Sequence, residues 1–232
     1  MNVQYSKNLS DAFVASSDSL KKLVELLQNY VGKVDISTDC ADGFSRDFNT
    51  IEALIDYENP KSKEIRRIDL SARSDDYKTS ASIDFNSSIF RRKISIHFEG
   101  CQEIVLKLRD ETQIIIEGMR PWYNVVSRIS NSEYAVVILV FSIYLVARLT
   151  NLWLSISDYE VELLDVIIIP LLFIILLIAL FFGKRLFPSA VFTIGQGKSR
   201  FRTLEKVQWS VVIAFIVSFA AGLVVPIIVI IF

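Results

Sequence analysis

Three long apolar runs, Tyr134 to Leu154, Val161 to Phe182 and Val207 to Phe232, dominate the C-terminal part of this 232-residue chain. Each approaches the roughly 20 residues that a helix needs to cross the hydrocarbon core of a bilayer. Everything before residue 134 is far more polar. The sequence therefore predicts an α+β cytosolic domain, an antiparallel sheet with packed helices, followed by an all-α membrane domain of three transmembrane helices. The expected divisions are residues 1–120 for the α+β domain, 121–133 for a membrane-proximal helical junction and 134–232 for the spans.

The flanks of the runs suggest an orientation. Between the first two runs and at the start of the second lie Asp158, Glu160 and Glu162 without Lys or Arg, whereas Lys184, Arg185, Lys198, Arg200, Arg202 and Lys206 lie between the second and third. Because Lys and Arg are retained on the cytoplasmic side, this predicts a multi-pass protein of a cell (inner) membrane, with its N-terminus in the cytoplasm and its C-terminus outside. Residues 1–13 contain Lys7 and Asp11 and no apolar core of the length a secretory signal needs. The two cysteines, Cys40 and Cys101, are too few for a disulfide framework and read as free thiols.

Inside the runs, Arg148 and Asp165 form a candidate intramembrane charge pair, with Glu162 as the alternative acid and independent snorkelling of Arg148 as the competing explanation. Pro170 and Pro226 are expected to kink their helices, and Ser218, Ala221 and Gly222 offer a small-residue packing face. The six basic residues of the 183–206 segment, interleaved with Phe187, Phe192 and Phe201, have the composition of an interfacial stretch binding anionic lipid.

Within the polar domain, Leu20, Leu23, Val24, Leu27 and Val31 recur at helical spacing, with Ser17 or Asp18 as a cap. A short strand follows near Val34 to Ser37, and Ile51, Leu54 and Ile55 fit a short helix ending at Asn59-Pro60, with a strand as the alternative. Period-two alternation then runs through Ile68, Leu70 and Ala72, through Ala81, Ile83 and Phe85, and through Ile94, Ile96 and Phe98. That pattern predicts an antiparallel meander with one apolar face and one carrying Asp69, Arg73, Ser82, Asp84, Ser95, His97 and Glu99. A helix from Gln102 to Gly118 would cover the apolar side. Pro121 then opens a further helix leading into the first apolar run.

No motif for a cofactor or metal emerges. Asp39, Asp42 and Gly43 lack the spacing of a calcium loop, and Gly195, Gly197 and Lys198 lack that of a phosphate-binding loop. His97, the one histidine, has no nucleophile elbow to serve. Arg91, Arg92, Lys93 and His97 are the candidate contacts for a ligand or partner. With a net charge of −1, the chain has no general attraction for nucleic acid. The expectation is a non-enzymatic sensor or effector, acting through a homo-oligomeric membrane domain in response to a ligand or protein partner. The alternative is a passive anchor or scaffold for a cytosolic complex.

Overall fold

Alternation of apolar and polar residues gives each strand one greasy side, and burying those sides together requires a sheet covered on one face by helices. A computed structural model, describing residues 1–87, 93–127 and 185–231, shows this arrangement. Residues Met1–Asn124 and Ser189–Phe232 form one compact unit, and Val125–Pro188 form another. In the first unit the elements run β1 (Asn2–Leu9), β2 (Phe13–Ser16), α1 (Ser17–Tyr30), β3 (Val34–Cys40), β4 (Ser45–Phe48), α2 (Ile51–Ile55), β5 (Ile65–Arg73), β6 (Ser80–Asn86), β7 (Ile94–Cys101) and α3 (Gln102–Gly118). A short α4 (Asn124–Ser127), β8 (Ala190–Thr193) and a long α5 (Gln196–Ile231) follow.

Six strands pair antiparallel in the order β1-β7-β6-β5-β3-β4. Ile68, Leu70, Ile83, Phe85, Ile94 and Phe98 point to the covered face and are almost fully buried. From α1, Leu20, Leu23, Val24 and Leu27 meet them, and from α3 come Val105, Leu108 and Ile116. Each such side chain contributes about 1.5–3 kcal/mol by leaving water. The helix from Gln102 to Gly118 forms where its periodicity predicts. The cap of α1 is one residue earlier than expected: the Ser16 hydroxyl accepts from the Ser19 amide at 3.1 Å.

The N-terminal strand β1 and the parallel pair β2 and β8 were not anticipated. Phe13 to Ser16 lie in register with Ala190 to Thr193. The 183–206 segment is consequently not a free interfacial loop along its whole length. Phe192 is buried beside Phe13, with ring centroids 5.6 Å apart, and Ile194 is fully buried.

The multi-pass membrane location and the transmembrane description that goes with it are not upheld. Among the described residues, no helix is long and apolar enough to cross a membrane. The runs 134–154 and 161–182 lie outside the described residues, together with Arg148, Glu162, Asp165 and Pro170. The run that begins at Val207 does not start a helix of its own. It continues α5, which opens with Lys198, Arg200, Arg202, Glu205 and Lys206 and is anchored to the α+β unit there. Hydropathy records a residue's aversion to water and does not identify the solvent that replaces it.

Candidate functional site: the polar face of the sheet

The same alternation that builds the core projects a second set of side chains from the opposite side of the sheet. Cross-strand register aligns them in rows. One row runs Asn8, Ser95, Asp84, Asp69, Ser37 and Asp47, and the next runs Ser6, His97, Ser82, Ser71 and Asp35. Asn8, Asp47, Ser6, Ser71 and Asp35 are exposed, and the others named are partly so. Five serines, four aspartates, Asn8 and His97 make up these rows, so most of their side chains are short and the aspartates carry the charge.

Register sets Asp69 directly opposite Asp84, an arrangement of like charges that destabilises a strand pair. Arg67 answers it from two residues away on the same side of β5. Its Nε donates to Asp84 Oδ1 at 2.6 Å, while Nη1 lies 3.5 Å from Asp39 Oδ2 and Nη2 lies 3.8 Å from Asp69 Oδ2. The hydrogen bond to Asp84, more than the other two charges, holds the guanidinium pKa above its ordinary value. Ser45 donates to Asp39 at 2.6 Å and Ser82 to Asp69 at 3.4 Å. One cation thus serves three carboxylates, and the centre of the face retains negative charge.

The pKa of the half-buried Asp69 carboxyl is raised above the ordinary 3.8, first by desolvation and then by Asp84, against the opposing pull of Arg67. A carboxyl with a raised folded-state pKa contributes a destabilisation that is absent below the unfolded value and grows as pH rises through the folded one. Asp69→Asn is therefore expected to be more stable than the parent near neutral pH, by under about 1 kcal/mol after solvent screening. The difference should disappear below pH 3.8. Urea midpoints for both proteins across the acid range would check this, and an undiminished gain at the acid end would remove Asp69 ionisation as its cause.

The residues singled out from sequence that are described fall on several elements. His97 lies on the polar face between Ser6 of β1 and Ser82 of β6. Lys93 is buried, and burial holds its amine below the ordinary 10.5. Arg91, Arg92 and Lys184 lie outside the described residues. Arg185 is exposed in the other compact unit, and Lys198, Arg202 and Lys206 are exposed along α5. Arg200 turns inward, donating to the Asn59 carbonyl at 3.1 Å and pairing with Glu64 at 3.3 Å. Among the described residues of the first unit, His97 on β7 and the basic residues of α5 lie on separate elements. The cluster of Arg67, Asp39, Asp69 and Asp84 escaped notice because register, which sequence alternation does not fix, creates it.

Cys40 is buried and Cys101 exposed, both as free thiols. Among the described residues, no group of His, Cys, Asp and Glu is placed to hold a metal ion. Compared with known proteins, the chain matches no family model, no curated protein and no solved structure.

Proposed function

We propose that the α+β unit is a recognition module whose polar sheet face receives a protein partner with a basic surface, with α5 as the element that carries the consequence. The open, acid-rich face carries this reading. Helices pack only on its reverse among the described residues, and Asp35, Asp47 and Glu99 stand exposed on the same polar face as the Arg67 cluster. A six-stranded surface offers area and polar rim contacts, whereas small ligands favour concave apolar enclosures. Its excess of carboxylates favours a cationic partner and repels nucleic acid.

Supporting the role of α5 is its close attachment to the unit that bears the face. Gln196 donates from its amide to the Glu58 carbonyl at 2.8 Å, and Trp209 stacks on Trp122 with centroids 5.4 Å apart. Tyr123 is buried beside them, and burial raises its phenol pKa to about 12. The same attachment supports a second reading, a static scaffold that holds a partner without responding to it.

Photo-crosslinking groups at Ser71 and Ser82, compared with groups at Lys22 and Glu25 on α1, test the face in cells expressing the intact chain. Crosslinks should concentrate at the two sheet positions and be lost when Asp35, Asp47 and Glu99 are all changed to Lys. Equal yields from sheet and helix positions would defeat the proposal. With the partner in hand, altered hydrogen exchange in α5 on binding selects the effector, and unchanged exchange selects the scaffold.

A further inference from the structure

The two edges of the sheet are built differently. At one end, β4 has only four residues and carries Arg46 and Asp47. Short length and charge are devices that discourage further strand pairing. At the other end, β1 has eight residues, no proline and one charged side chain. That residue, Lys7, is directed over the helical layer, where its amine donates to Gln113 Oε1 at 3.4 Å. It does not guard the edge.

The hydrogen-bond pattern shows which backbone groups the edge presents. Met1 accepts through its carbonyl from Gln102 N at 3.2 Å, and Leu9 accepts from Lys93 N at 3.1 Å. Odd-numbered residues of β1 therefore turn their backbone groups toward β7. By antiparallel alternation, the N–H and C=O groups of Asn2, Gln4, Ser6 and Asn8 turn outward. Among the described residues, no further strand follows β1 in the sheet.

We infer that β1 pairs antiparallel with β1 of a second copy of this chain across a two-fold axis, joining two sheets into one. This is independent of the polar-face reading. Outward groups must meet outward groups, and the apolar sides of both strands must lie together, which restricts the register. Tyr5 opposite the second copy's Tyr5 satisfies both conditions. It sets Gln4 opposite Ser6, Asn2 opposite Asn8 and Val3 opposite Lys7, so no like charges meet.

The helical layer fits as well. Since α3 packs over β7 and β1, a strand separation of about 4.8 Å brings the two copies of α3 to about 10 Å, an ordinary helix-packing distance. Gln113 reaches Lys7 on that side, and Arg109 and Leu106 share its helical face. Leu106 is 39% exposed, leaving apolar surface for the second helix to cover.

Sedimentation and light scattering on the intact chain test this pairing. The parent should self-associate through a two-fold contact. Gln4→Lys together with Ser6→Lys sets lysines opposite lysines and should weaken the contact at least about tenfold while leaving circular dichroism and the melting transition intact. Gln4→Glu with Ser6→Glu should behave similarly alone, yet form a heterodimer with the lysine pair variant. A monomeric parent, unchanged assembly of the folded lysine variant, or failure of the mixed charges to pair would each overturn the inference.

Discussion

Phe13→Ala is expected to destabilise the protein by about 3–5 kcal/mol, a large part of the 5–15 kcal/mol that holds a typical domain together. The ring is fully buried and meets two others edge-on, Phe85 of β6 at 5.4 Å and Phe192 of β8 at 5.6 Å. Its backbone amide donates to the Ser189 carbonyl at 3.1 Å. Residues from three distant stretches of the sequence thus line the same space, and no single rotamer change can fill the cavity left by alanine. Phe13→Leu, which retains most of the volume, should cost under about 1.5 kcal/mol. Denaturant midpoints give the magnitudes. Hydrogen exchange gives the location, because β8 and the first turns of α5 should lose protection before the central strands do. An alanine variant within 1 kcal/mol of the parent would show that this aromatic triad does not bind β8 to the sheet.

Local signals and long-range ones differed in how well the sequence displayed them. The meander of β5, β6 and β7 and the helices α1 and α3 were legible because their buried residues recur within one element, at period two or at helical spacing. β1 shows the same alternation in Val3, Tyr5 and Leu9, but Lys7 takes one of the apolar positions and interrupts it. At four residues apiece, β2 and β8 are too short to show a period. They are also joined across 173 intervening residues, 17 through 189, which only folding brings together. The apolar runs drew attention to themselves through hydropathy, which is blind to the anchoring of α5 at its charged beginning. The polar face could be read as a face. Its organisation around Arg67 could not, because that depends on which residues of β3 and β6 arrive beside it.

The attachment of α5 yields the sharpest test of that anchoring. Gly195 has φ of +50°, and a Cβ there would press into the backbone carbonyls of Tyr57 and Glu58. A Cβ on Gly197 would meet the Phe192 carbonyl and lie 3.0 Å from Asn59 Nδ2. These neighbours cannot swing aside. Asn59 is fully buried, donates to the Ile194 carbonyl at 3.2 Å and accepts from the Ile65 amide at 2.9 Å, so its position is fixed from both sides. Gly195→Ala and Gly197→Ala are accordingly each expected to cost about 3 kcal/mol or more, through steric displacement of backbone and, at Gly195, through a left-handed conformation that alanine resists. Gly118, at the end of α3, has open space around its would-be Cβ, and its change to alanine should be neutral or stabilising by up to about 1 kcal/mol. If α5 is held as these contacts imply, the two junction variants will expose residues 190–200 to exchange and proteolysis while Gly118→Ala does not. Parent-like stability in Gly195→Ala would mean that the helix joins the domain by some looser means, and the route from the polar face to α5 would be lost with it.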